Sequence, residues 1–218
     1  MPTTLPNLAD FDALIFDLGG VIINLDYQRT IDAFSAYCGF NAATLYTQKS
    51  QFDLFDRWEA GLIKPSEFRA GLRSLLNLSN DQPSDRDLDT AWNAMILDLP
   101  IARLNLLKTL NSQPVRTFLL SNNNVIHKLR CDELLRETTG DSGASWDNYF
   151  DRVYFSQEMG DRKPNPSIFQ RVIDEQNLDP SRTLFLEDTL KNIEGAKLVG
   201  LQTLHVVKNI EIADLSYA

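Results

Sequence analysis

Five short apolar runs punctuate the chain, at residues 13–16, 115–120, 153–155, 183–186 and 203–207. They are rich in β-formers and too short for stable helices, so each reads as a buried strand. Between the later runs the period changes. Leu104, Leu107 and Leu110 are spaced by three, and so are Ile193, Ala196 and Val199. Ile168, Phe169, Val172 and Ile173 form an i, i+1, i+4, i+5 stripe. These patterns give helices with one apolar side. Strand alternating with helix predicts an α/β fold, a Rossmann-like parallel sheet with helices on both faces.

The stretch from 26 to 100 breaks this alternation. It contains helical segments such as YQRTIDAFSAYCGF and KPSEFRAGLRSLLNL but no convincing strand. In the second, Phe68, Leu72, Leu75 and Leu76 fall on one helix face. Phe52, Phe55, Trp58 and Trp92 add bulky apolar surface, and the polar NLSNDQPSD at 77–85 reads as an inter-helix loop. The expected organisation is a core of residues 1–25 and 101–218 with an all-helical insert, 26–100, placed after the first strand.

Open parallel sheets bind ligands beyond the carboxyl ends of their strands. Each of the first four predicted strands delivers polar residues to that edge. The first is followed by Asp17, Leu18, Gly19 and Gly20. The second is followed by Ser121 and Asn122, the third by a loop containing Lys163, and the fourth by Glu187 and Asp188. Carboxylates from two strands offer the oxygen ligands that suit Mg²⁺. An aspartate can attack an electrophile to form a covalent intermediate. Ser121 and Asn122 can donate to phosphoryl oxygens, Lys163 brings positive charge, and Gly20 lets backbone N–H groups approach an anion. Taken singly, each residue has a plainer reading as a turn former, cap or solvated side chain. Their joint placement at successive strand ends favours a site.

The whole-chain balance limits the partners. The 218 residues carry a formal charge of −9. Such a chain repels nucleic acid and anionic lipid, so neither is an expected partner. An anionic substrate would need a local cation. Two distant cysteines, Cys38 and Cys131, suggest reduced thiols and no disulfide framework. The N-terminus has no signal-peptide pattern, and no apolar run reaches the ~20 residues of a membrane span. A cytoplasmic protein, monomeric or homodimeric, fits these features.

The strand-end segments FDLGGV, LLSNNN, GDRKPNPSIF and LFLEDTLKNIEGAK resemble the four motifs of the haloacid dehalogenase (HAD) superfamily. The helical insert sits where that family carries its cap. The chain is most similar to small sugar-phosphate phosphatases whose first motif reads D-L-G-N-V. The resemblance implies a Mg²⁺-dependent hydrolysis of a small phosphorylated metabolite. Asp17 would be nucleophile and metal ligand, with the Gly19 carbonyl and Asp188 as further ligands and Glu187 bonded to metal-bound water. Ser121, Asn122, Gly20 and Lys163 would contact the phosphoryl group, and cap residues 55–61 would face the substrate.

One acid is missing. Most phosphatases of the superfamily carry Asp two residues after the nucleophile, where this chain has Gly19. General acid–base help is worth about 10²–10⁴-fold, so Asp26 and His127 are candidate substitutes. Metal-free 2-haloacid dehalogenation and a non-catalytic HAD-like binder are the alternatives. Schiff-base chemistry would need a cap lysine, and only Lys49 and Lys64 lie in the insert.

Overall fold

The computed structural model describes residues 5–44, 53–79, 82–207 and 210–217. The five apolar runs pair into one parallel sheet in the order β3-β2-β1-β4-β5. The strands are β1 (Ala13–Phe16), β2 (Arg116–Ser121), β3 (Arg152–Phe155), β4 (Thr183–Glu187) and β5 (Gln202–His205). Central β1 pairs on both sides, with Phe16 opposite Leu119 and Leu186.

Because side chains alternate across a strand, the sheet feeds two cores. Leu14, Phe16, Leu119 and Leu186 pack toward Leu104 and Leu107 of α5 (Ile101–Leu110) and Leu134 and Leu135 of α6 (Val125–Thr139). Ile15, Phe118, Leu120 and Phe185 pack toward Ile168, Phe169 and Val172 of α8 (Pro166–Gln176) and Ala196 of α9 (Leu190–Lys197). The helices therefore cover both faces, as the sequence period requires. Strand β5 stops two residues short of its apolar run, although the Val206 amide still donates to the Glu187 carbonyl at 2.8 Å. Val199 falls beyond the end of α9 and packs from the following turn.

Between β1 and α5 lie α1 (Tyr27–Cys38), α2 (Asp53–Glu59), α3 (Pro65–Leu75) and α4 (Asp85–Asn93). Asp26 starts α1 by accepting from the Gln28 amide, and Ser84 starts α4 with a capping box. These helices close around a third core. Trp58 stacks on Phe68 at 4.6 Å, Phe55 stacks on Trp92 at 5.4 Å, and Phe68 meets Trp92 edge-on at 5.2 Å. Aromatic packing of this kind supplies large buried area with defined geometry. Ile126 of α6 joins this core, so the helical layer rests on the sheet domain. Arg69 makes a two-pronged pair with Asp89 that fixes α3 against α4. Phe52 and Lys49 lie outside the described residues. Lys64 is an exposed residue at the start of α3.

Among the described residues no helix is long and apolar enough to cross a membrane. Cys38 and Cys131 are both free thiols.

Candidate active site

The parallel register brings the ends of β1, β2 and β4 to one edge, and with them the residues singled out in the sequence. Lys163 is the hub. It is wholly buried, and its Nζ lies 2.8 Å from Asp17 Oδ1 and 2.7 Å from Glu187 Oε2. The Leu18 amide donates to the same Asp17 oxygen at 2.7 Å. Oδ2 of Asp17 makes no hydrogen bond among the described residues. Oxygens of Asp17, Glu187 and Asp188 all lie within 4.8 Å of one another.

Each neighbouring loop has a distinct task. The Asn122 amide clamps the Lys163 backbone, its Nδ2 donating to the carbonyl at 2.8 Å and its Oδ1 accepting from the N–H at 2.9 Å. By these bonds the side chain of Asn122, a residue expected to contact substrate, holds the backbone of the lysine. Asn124 caps α6 by accepting from the His127 amide. Ser121 is buried, and among the described residues its hydroxyl makes only a long 3.4 Å contact with the Asn122 carbonyl, which leaves it able to re-aim. Glu187 is fully engaged: Oε1 accepts from the Thr189 amide and Oε2 from Lys163. Gly20 has a φ of +74°, and a Cβ there would fall 2.1 Å from Asp188 Oδ2. The loop after Asp17 therefore lies directly against that carboxylate, which only glycine permits.

Three carboxylates share this space with one ammonium. Burial, then the charge of Glu187, pushes the Asp17 carboxyl above its ordinary range. Burial and the charge of Asp17 push Asp188 up as well. Burial alone would lower the Lys163 pKa, but Asp17 and Glu187 outweigh it and hold the ammonium charged. The set lacks positive charge. A hard divalent cation held by carboxylate oxygens and a loop carbonyl would supply it, so the donors present fit Mg²⁺.

The substitutes proposed for the missing acid fare differently. Asp26 is occupied by the Gln28 amide and pairs with Arg29 at 3.7 Å. His127 stacks on Trp92 at 4.7 Å, with Nδ1 2.8 Å from Asn93 Oδ1. Burial pushes its pKa down to about 3, so near neutral pH it holds no spare proton to give. Two other residues lie within electrostatic reach of the cluster: Tyr27, which sequence reasoning passed over, and Glu59, inside the stretch 55–61 expected to face the substrate. Burial, then the charges of Asp188, Asp17 and Glu59, holds the Tyr27 phenol above its ordinary pKa, so it stays protonated beside the carboxylates. Glu59 of α2 feels the Lys163 charge, and burial raises its carboxyl despite a bonded Arg162. Tyr27 follows the first motif by a few residues, and only the fold brings it within reach of the charges on Asp17 and Asp188. A separate cavity of about 320 Å³ between α6 and β3, lined by Lys128, Arg136, Trp146 and Arg152, includes none of these residues.

A family model for haloacid dehalogenase-like hydrolases matches residues 11–200. A D-ribitol-5-phosphate phosphatase from Bacteroides thetaiotaomicron is 28% identical over 191 residues, covering 87% of this chain and 89% of that one. A sesquiterpene phosphatase from Aspergillus oryzae is 26% identical over 207 residues, 92% of each chain. A crystal structure of a HAD family enzyme from B. thetaiotaomicron is 33% identical and superposes with a TM-score of 0.82. It covers 92% of this chain and 96% of that one, and holds an aspartate-to-alanine mutant in complex with magnesium and inorganic phosphate. The family match takes in β1 through β4 with every loop of the carboxylate cluster, and by it this chain belongs to the haloacid dehalogenase-like hydrolases.

Proposed function

We propose that this protein is a Mg²⁺-dependent phosphatase that hydrolyses a small phosphomonoester, a sugar or polyol phosphate, through an aspartyl-phosphate on Asp17. The observation that carries the reading is the cluster of buried Asp17 and Glu187 and half-buried Asp188 around Lys163. Its surplus of negative charge suits a divalent cation, and metal-free dehalogenation has no use for it. The similarity to a D-ribitol-5-phosphate phosphatase over 87% of this chain supports the substrate class.

Residue roles follow. Asp17, Asp188 and the Gly19 carbonyl hold Mg²⁺, which supplies charge stabilisation for the transferring phosphoryl group. Asp17 attacks phosphorus through a carboxylate oxygen, the P–O bond to the sugar breaks, and the alkoxide takes up a proton. Water then attacks the phosphorus of the acyl phosphate, releasing inorganic phosphate and restoring the Asp17 carboxylate. Lys163 balances the charge on Asp17 and the phosphoryl oxygens. Ser121 turns its hydroxyl to those oxygens. Glu187 and Asn122 hold Lys163 in place. Residues 26–100 form the cap over the sugar end. Phosphoryl transfer relies chiefly on such positioning and charge stabilisation, which tolerates glycine at position 19.

The experiment is a screen of phosphorylated sugars and polyols with and without EDTA. Asp17→Asn should reduce turnover to background while leaving the fold intact by circular dichroism. Activity that survives either chelation or Asp17→Asn overturns the reading.

A further inference from the structure

The lysine loop is fastened to the helical layer by its preceding residue. Arg162 lies between the two, its side chain only 12% exposed. Its Nε and Nη2 donate to Glu59 Oε2 at 2.9 and 2.6 Å, and its Nη1 donates to Asp56 Oδ1 at 2.8 Å. Both carboxylates belong to α2, one turn apart. Two further contacts bind the same end of α2 to the sheet domain. The Ser156 hydroxyl, wholly buried at the start of α7 (Ser156–Met159), donates to the Glu59 carbonyl and accepts from the Asn123 amide at 2.9 Å. Gly61 has a φ of +69°, and a Cβ there would lie 2.2 Å from the Gln157 carbonyl oxygen. The turn after α2 thus presses on α7 with backbone alone.

On the far side of the peptide bond from Arg162, Lys163 makes its contacts with Asp17 and Glu187. One short stretch of chain therefore faces the helical layer through one side chain and the nucleophile through the next. We propose that Arg162 is a positioning residue: by bridging Asp56 and Glu59 it sets the register of α2 over the site, so that the groups gripping the substrate's sugar end are placed relative to Lys163 and Asp17. This rests on the phosphatase reading above. It assigns Arg162 no contact with the substrate; it acts through α2. A buried guanidinium with two carboxylates is strong only when all partners are present, because removing one leaves an uncompensated charge. The device is therefore most sensitive to Arg162 and Glu59, since Asp56 is half exposed.

The test compares Arg162→Gln, Arg162→Lys, Glu59→Gln and the double variant Arg162→Gln/Glu59→Gln, on p-nitrophenyl phosphate and on a pentitol 5-phosphate. Misplacement of a gripping element by about 1 Å can cost ~10²-fold. Arg162→Gln should therefore raise KM for the pentitol phosphate by about 10- to 100-fold. The loss on p-nitrophenyl phosphate, which offers α2 no polyol to grip, should be smaller. Arg162→Lys should recover part of the loss. The double variant should be no worse than the poorer single, because both act through one contact. An equal loss on both substrates, or strict additivity of the singles, overturns the proposal. Hydrogen exchange gives a readout independent of turnover. Amides of α2 should exchange faster in Arg162→Gln while those of β1 and β4 do not. If the wild type hydrolyses neither probe, the phosphatase reading fails, and unchanged α2 exchange would separately reject the coupling.

Discussion

At the residue scale, Gly19 is the departure that most affects chemistry. A Cβ at this position would lie 2.6 Å from Leu25 Cδ1, so that leucine occupies the space a second acid would need. The obstacle is the far end of a flexible side chain, and a rotamer change relieves it. Gly19→Asp should therefore fold and place a carboxyl near the leaving group. A general acid helps most where the leaving group is a strongly basic alkoxide, by about 10²–10⁴-fold in favourable cases. The nitrophenolate of p-nitrophenyl phosphate departs without a proton. The expected result is a rise in the ratio of kcat on an alkyl phosphate to kcat on p-nitrophenyl phosphate. A ratio unchanged in Gly19→Asp would show that the native site already supplies the proton, with Tyr27 the first residue to examine. At this scale the site was legible because residue type and strand end coincide: Asp17, Ser121 and Glu187–Asp188 each follow an apolar run. The role of Asn122 was not, because which backbone its amide meets depends on a loop 41 positions away.

At the element scale, the contact between α4 and α6 carries a pH dependence. His127 of α6 lies between Trp92 and Asn93 of α4, and burial pushes its pKa down to about 3. In the unfolded chain it titrates near its ordinary value of about 6.5. Between those limits the unfolded state binds a proton that the folded state refuses. Stability therefore rises with pH through this window and falls as the solution is acidified below about 6.5. The limiting slope for one such group is about 1.4 kcal/mol per pH unit. Urea unfolding from neutral to mildly acidic pH should show wild type losing stability faster than His127→Gln, the gap opening below pH ~6.5. Parallel curves would refute the assignment. The strands and α5, α8 and α9 were readable from periodicity because their apolar residues face a sheet that demands it. The joint between α2 and α7 was not, because it is made of a glycine, a serine hydroxyl and an arginine pair, none of which carries a period. Arg162 sat inside a recognised motif, yet its partners, Asp56 and Glu59, lie over a hundred residues earlier in the chain.

At the scale of the whole molecule, a chain of formal charge −9 is to take up a dianionic substrate. Its site adds three carboxylates and one ammonium, with Lys163, Asp17 and Glu187 buried and Asp188 half-buried, so that screening by water is weak. Without a cation the local field opposes phosphate; a bound divalent ion brings the cluster to neutrality and leaves Lys163 and Ser121 to make hydrogen bonds. Metal and phosphate must then bind cooperatively, each raising the affinity of the other by the same factor. Thermal unfolding measures this coupling without turnover. A ligand at a hundred times its Kd stabilises by about 2.7 kcal/mol, which for a chain of this size raises Tm by about 5–10 °C. Inorganic phosphate should produce such a shift when Mg²⁺ is present and almost none in EDTA. Phosphate should likewise lower the Mg²⁺ concentration needed for half of the shift. Phosphate stabilising equally in EDTA would mean that Lys163 and the loop amides bind the anion unaided. The charge surplus at Asp17, Glu187 and Asp188 would then need another explanation.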